Sequence, residues 1–126
     1  MFSHVMLGAN DIQASKKFYD AILGALGYEE GTIDPKGRCF YFTKTGIFGL
    51  SAPIDGEPAS HGNGSTLGFA VENEEQGLAW HEAGLANGGT ACEDPPGVRD
   101  GGTMKLYLAY LRDPSGNKIC AMKRVS

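Results

Sequence analysis

The chain has 126 residues, 41% of them apolar, and a formal net charge of −4 at pH 7. That is enough chain to bury the core of a single domain, and an acidic chain without a Lys/Arg cluster leaves no footprint for nucleic acid. No apolar run approaches the ~20 residues needed to cross a bilayer. The first strand pattern starts almost at Met1, which argues against a signal peptide. Cys39, Cys92 and Cys120 are odd in number and widely spaced, as expected of reduced thiols in a cytoplasmic protein.

Residues 2–9 read as a strand. Asp11 then offers an N-cap, and Ile12, Phe18, Tyr19, Ile22, Leu23 and Leu26 recur at the spacing of an amphipathic helix. Gly27 is placed to end that helix in the left-handed conformation. A strand follows around 28–33, and Asp34-Pro35-Lys36-Gly37 is a turn. Residues 38–44 and 47–52 form a hairpin around Thr45-Gly46. The Pro/Gly-rich stretch 53–64 reads as a linker. Strand 65–72 comes next, and then a helix over about 74–87, capped by Asn73, with Leu78, Trp80 and Leu85 as its apolar positions. Gly88-Gly89 ends it. A strand near 90–94 leads into a loop, 95–104, and a final hairpin pairs 105–112 with 117–123 across Asp113-Pro114-Ser115-Gly116.

The two halves repeat. Residues 4–7 align with 66–69, and the match continues through Asp11/Asn73, Phe18/Trp80, Asp20/Glu82, Leu23/Leu85 and Gly27/Gly89. The order is βαβββ twice: module one over 1–52, the linker 53–64, and module two over 65–126, within one domain. The predicted class is α+β, two tandem βαβββ modules forming a curled mixed sheet around a pocket. A helix covers one face of each sheet, and packing the two sheets together would bury the other faces. The space between them would suit a small ligand.

Several residues are candidates to meet such a ligand. Tyr107 and Tyr110 lie three apart on one strand and point to opposite faces, so at most one lines the pocket. Arg99 either pairs with a carboxylate or phosphate of the ligand or is a surface charge beside a loop. Among Phe40, Tyr41, Phe42 and Phe48, at least one ring must face inward, against ligand or core. His61, in the linker, either swings over the pocket mouth or is solvated. His81 belongs on the polar side of the second helix.

These features resemble the vicinal oxygen chelate superfamily, which includes glyoxalase I, the bleomycin-resistance proteins and the extradiol dioxygenases. The resemblance rests on His4-Val5, on Asn10-Asp11 through Phe18-Tyr19 to Leu23-Gly24, and on Asp113-Pro114-Ser115-Gly116-Asn117-Lys118-Ile119. It implies two βαβββ modules and a homodimer. It also implies four matching positions at which metal-using members carry ligands. Here these hold His4, Phe48 or Gly49, Thr66, and Cys120. A catalytic metal needs about three protein ligands, and His4 and Cys120 are the only possible ligands at the four. No cofactor is therefore expected, beyond at most a weakly held divalent metal. The quartet lacks the carboxylate base that glyoxalase-type proton transfer requires.

His4 reads either as a catalytic acid/base or ligand donor, or as an inherited buried histidine. Cys120 reads as a small hydrophobe on a pocket-facing position, and Thr66 as a hydroxyl that can reach ligand. The resemblance thus implies a glyoxalase-like protein that binds a small organic molecule between its sheets. The alternative is an enzyme of lyase/isomerase or dioxygenase type using His4 and a weakly held divalent metal. Neither reading involves nucleic acid or a membrane.

Overall fold

The computed structural model describes residues 1–126. The first half of the chain runs β1 (His4–Gly8), α1 (Ile12–Gly24), β2 (Thr32–Ile33), β3 (Cys39–Phe42) and β4 (Ile47–Ser51). The second runs β5 (Leu67–Ala70), α2 (Glu74–Ala86), β6 (Thr90–Ala91), β7 (Gly97–Asp100), β8 (Lys105–Arg112) and β9 (Lys118–Arg124). One sheet has the order β1-β4-β3-β2; the other is β5-β9-β8-β6, with β7 also paired to β8. In each, the first strand lies parallel to the last and the other pairs are antiparallel. The α+β class with mixed sheets is the one expected. β1 and β5 are each left at a sheet edge. No helix is long and apolar enough to cross a membrane.

The stretch expected as the loop 95–104 contains a strand, β7. Val98, Arg99 and Asp100 pair with Tyr107, Leu106 and Lys105. β6 and β7 run along the same side of β8, with the chain bulging between them. Pro95 and Pro96 supply no N–H to a ladder, which only an edge tolerates, and Glu93 bends the chain there with φ 59. Turn-forming composition hid a broken edge strand.

Both helices are capped as their sequences suggest. Asp11 accepts from the Ala14 N–H at 3.0 Å, and Asn73 from the Gln76 N–H at 2.7 Å. Gly27 takes φ 91, and the Tyr28 N–H returns to the Leu23 carbonyl. α1 buries Phe18, Tyr19, Ile22 and Leu23, as its periodicity predicts, and Ser15 besides. α2 does not bury its leucines. Leu78 and Leu85 are exposed, and the buried face is Gly77, Trp80, His81 and Gly84. The reason is distance. A Cβ on Gly77 would strike the Tyr107 ring, and one on Gly84 would strike Leu111 and crowd Ile22 and Phe18, each at 3.2 Å. The helix lies so close to β8 and α1 that only glycines fit. His81, expected on the polar side, is therefore buried.

The two modules meet through this helix layer and through the β8–β9 turn. Asp113 is 2% exposed. One carboxylate oxygen accepts the backbone N–H groups of Ser115 and Asn117, each at 2.9 Å. The other accepts the Tyr19 hydroxyl at 2.7 Å and the Asn117 amide at 2.9 Å. The Asn117 amide also donates to the Gly8 carbonyl, and the Asn10 N–H donates to the Ser115 hydroxyl. The linker is drawn in as well: the Asn10 side chain bonds both the N–H and the carbonyl of Ala59. Burial, with the Asp113 carboxylate beside it, pushes the Tyr19 phenol well above its usual range.

The sheets do not pack face to face within the chain. Their faces away from the helices carry Met6, Phe42 and Met122, all exposed. The expectation that one sheet covers the other inside a single chain is replaced by a joint made of helices and the Asp113 turn.

Two predictions follow from these contacts. Tyr19→Phe removes one hydrogen bond to a buried carboxylate and should cost about 1.5–3 kcal/mol in urea unfolding; Asp113→Ala, which strands several buried donors, should cost more. Gly84→Ala should destabilise by about 1–3 kcal/mol, although alanine is the better helix former by roughly 1 kcal/mol. Gly24→Ala, at a helical glycine with nothing within 4 Å, should not destabilise.

Candidate functional site

Strand register decides which side chains share a face. His4, Met6 and Gly8 pair with Ile47, Gly49 and Ser51, so they lie on one face. Phe40 and Phe42 extend that face on β3. Val5, Leu7, Phe48, Leu50, Cys39 and Tyr41 form the other, beneath α1. In the second sheet, Gly68, Ala70, Cys120, Met122, Leu108 and Tyr110 share the open face. Leu67, Phe69, Ile119, Ala121 and Tyr107 lie beneath α2.

This register resolves the choice between Phe48 and Gly49. Gly49 is the residue on the face of His4. Phe48 is buried, its ring 4.8 Å from Tyr19 and 5.6 Å from Phe69. The space a longer side chain would need at Gly49 is taken: a Cβ there would meet the Met6 thioether and Phe40, the latter at 2.9 Å.

Cys120 is 7% exposed, and burial pushes its thiol up, away from the thiolate that binds metal or attacks. No three His, Cys, Asp or Glu side chains come close enough to share a metal ion. The four positions, His4, Gly49, Thr66 and Cys120, hold one imidazole and one protonated thiol, a donor set that does not fit a catalytic divalent metal. His4 is exposed, with its Nδ1 2.7 Å from the Ser3 hydroxyl.

A cavity of about 760 Å³ lies between the edge strands β1 and β5 and reaches under the end of α1. Its lining brings together His4, Phe48 and Thr66. It also takes in Tyr41, one of the four rings expected to face ligand or core, and Leu23, Leu26, Tyr28 and Phe69, none of which was singled out from sequence as a ligand contact. Leu23 is the last apolar position of α1 and Leu26 lies in the turn that follows it, and Gly27 turns the chain so that Tyr28 follows them to the cavity. Tyr41 pairs with Phe48 across β3–β4, so the same alternation that marks Phe48 marks it too.

The other candidates lie elsewhere. The Arg99 guanidinium is engaged by carbonyls of its own loop, Asp94 at 3.0 Å, Pro95 at 2.9 Å and Gly97 at 3.1 Å. Tyr107 is buried under α2 against Gly77. Tyr110 stands on the open face, with the Lys118 ammonium 4.9 Å from its ring centre. Tyr107 and Tyr110 thus point to opposite faces, as their spacing predicts. His61 is exposed and packs on the Gly116 turn.

His81 sits behind Tyr110, its Nε2 3.1 Å from the Tyr110 carbonyl. A carbonyl only accepts, so the neutral ring carries its proton on Nε2. Burial holds its pKa below the ordinary 6.5, with the Tyr110 bond opposing. A depressed folded-state pKa means that the unfolded chain takes up the proton first, so stability is lost as pH falls below 6.5. Urea midpoints should therefore drop between about pH 7 and 5.5, where histidines titrate, and His81→Gln should flatten that limb.

The family model described as Glyoxalase/Bleomycin resistance protein/Dioxygenase superfamily matches residues 1–121. The chain is 63% identical to the crystal structure of a glyoxalase/bleomycin resistance protein from Albidiferax ferrireducens T118, over 97% of this chain and 98% of that one, with a TM-score of 0.93. A glyoxalase/bleomycin resistance protein/dioxygenase family enzyme from Burkholderia phytofirmans PsJN shares the fold at 20% identity and a TM-score of 0.74, covering 98% of each chain. So does a glyoxalase-related enzyme from Fulvimarina pelagi, at 18% identity and a TM-score of 0.72, over 97% of this chain and 86% of that one. No curated protein matches the chain.

Proposed function

The chain belongs to the Glyoxalase/Bleomycin resistance protein/Dioxygenase superfamily, and on that footing we propose that it is a glyoxalase-like protein that binds a small organic molecule between its two sheets. The observation that supports this is the cavity of about 760 Å³ between β1 and β5, where His4 of one module and Thr66 of the other share an apolar, aromatic-walled space. Its volume lies in the range of pockets that hold drug-sized ligands, about 300–1,000 Å³. The metal positions support binding over metal-assisted turnover, because their donors do not make a site.

A second reading has one observation in its favour. His4 is exposed at the cavity, with the Ser3 hydroxyl beside one ring nitrogen, an arrangement open to acid/base work on a bound molecule. In that case His4→Ala abolishes turnover without weakening binding; under the binding reading it alters affinity alone.

The protein acts as a cytoplasmic homodimer in this proposal. The open sheet faces expose Met6, Phe42 and Met122, and a second copy would bury them. Phe42→Asp should convert a dimer to a monomer in light scattering after gel filtration; a wild-type monomer would sink this part.

The binding reading is tested by thermal shift against a mixed set of neutral, anionic and cationic small organic molecules. Thr66→Trp, at an exposed lining position, should fill the cavity and remove the shifts that wild-type protein shows. Shifts that persist unchanged in this variant would place binding elsewhere and overturn the reading.

A further inference from the structure

Resting on that reading of the cavity, we infer that the molecule it takes is a short, extended peptide segment that lies between β1 and β5 and hydrogen-bonds to both as an added strand. The direction of the backbone carries this. In a strand the N–H and C=O of one residue turn to the same side, and those of its neighbours to the other. The Ala9 N–H donates to the Ser51 carbonyl and the Val71 N–H to the Met122 carbonyl, each at 3.0 Å. Counting back by twos, Val5 and Leu7 serve the ladder with β4, and Leu67 and Phe69 the ladder with β9. His4, Met6 and Gly8 therefore turn their peptide groups away from β4, and Gly68 and Ala70 turn theirs away from β9. The Gly8 carbonyl shows where that side leads, since it accepts the Asn117 amide of module two at 2.9 Å. β1 and β5 do not pair with each other, and the peptide groups of His4, Met6, Gly68 and Ala70 make no backbone hydrogen bond outside the ladders. Two open edges thus border one gap, and an open edge is a template for another strand.

The spacing agrees. Neighbouring strands lie about 4.8 Å apart, so a strand set between two others needs about 9.6 Å. Nearly all Cα atoms of β1 stand more than 8 Å from those of β5, too far for a ladder of their own, and one cavity touches both. The Asn117 bond closes the gap beside Gly8, so the segment is short, about the 4 residues of β5. Side chains of an added strand alternate between the two faces. On the helix side they meet Leu23, Leu26, Phe48 and Phe69, and on the open side His4 and Thr66. The segment that fits carries apolar side chains at every second position and hydroxyl-bearing ones between them.

The probe is the capped pentapeptide acetyl-Thr-Leu-Thr-Leu-Thr-amide, titrated into the wild-type protein and followed by NMR. Binding should be saturable, and exchange of the His4, Met6, Gly68 and Ala70 amide protons with solvent deuterium should slow at least about tenfold as they gain partners. N-methylation of both leucines removes the donors aimed at one edge, and N-methylation of the threonines removes those aimed at the other. Each should weaken binding at least about tenfold. Acetyl-Thr-Leu-Leu-Thr-Thr-amide, of the same composition without the alternation, should bind at least about tenfold more weakly. Ala70→Pro takes one donor from the β5 edge and leaves the ladder with β9 in place, as edge strands allow, and should also weaken binding. No peptide binding, slowed exchange on one edge alone, loss with only one of the N-methylated peptides, or equal binding of the scrambled peptide would each overturn the inference. If other small molecules still shift the wild-type protein and not Thr66→Trp, the reading of the cavity outlives that failure.

Discussion

The joint between the two modules hangs on one carboxylate. Asp113 is buried without a cation beside it, and its charge is spread over two backbone N–H groups, a phenol and an amide. Such charge-assisted bonds are short and strong, and a buried carboxylate is tolerable only when they are complete. Three of the four donors come from Ser115 and Asn117 of its own turn and shape that turn. The Tyr19 hydroxyl comes from α1, and the Asn117 amide it holds reaches on to the Gly8 carbonyl at the end of β1. The turn that closes module two therefore sets the position of the first strand and helix of module one. β1 forms one wall of the cavity and β5 the other, so the spacing between them is held by a side chain that touches neither the cavity nor its contents.

The repeat explains why the helices meet as they do. A pseudo-twofold axis brings equivalent positions of the two modules together, and two large residues cannot share one place. Ile22 and Gly84 are such a pair in the aligned sequences. The isoleucine methyl lies 3.2 Å from where a Cβ on the glycine would be, so one copy fills the space that the other leaves. Tyr19 and His81 are the next pair. Both are buried donors that reach acceptors around the β8–β9 hairpin: the Asp113 carboxylate for one, the Tyr110 carbonyl for the other. Symmetry is kept in the backbone and broken in the side chains, which is what close packing of two similar surfaces requires.

That breaking also sets how far the fold could be read from the residues. The repeat, the caps Asp11 and Asn73, the Gly27 helix end and the Asp113 turn are local signals, and each stands where its chemistry says. The buried face of α2 is not local. Leu78 and Leu85 follow the helical period, yet they face solvent, because what brings α2 close to β8 is the absence of side chains at Gly77 and Gly84. A hydrophobic pattern cannot register an absence. The strand β7 was hidden for a related reason: Pro95-Pro96 and the glycines around it carry turn chemistry, while the pairing partners that make a strand there are on β8. Of the residues that line the cavity, His4, Phe48 and Thr66 were picked out from sequence. Tyr41 and Phe69 lay in plain alternation but read equally well as core, and only the gap between the sheet edges distinguishes the two roles.

The same register shows what surrounds the four positions at which the resemblance implies ligands in metal-using members. At Gly49 the space where a side chain would stand is filled, since Met6 and Phe40 close over it. A carboxylate introduced there would have to displace two apolar groups and would still find one histidine, one threonine and a protonated thiol at the other positions. The first module's open face carries Met6, Phe40 and Phe42, an apolar surface. His4 and Thr66, at the strands nearest the gap, keep their polarity and border the cavity instead of an ion. Introducing one ligand would therefore not make a metal site.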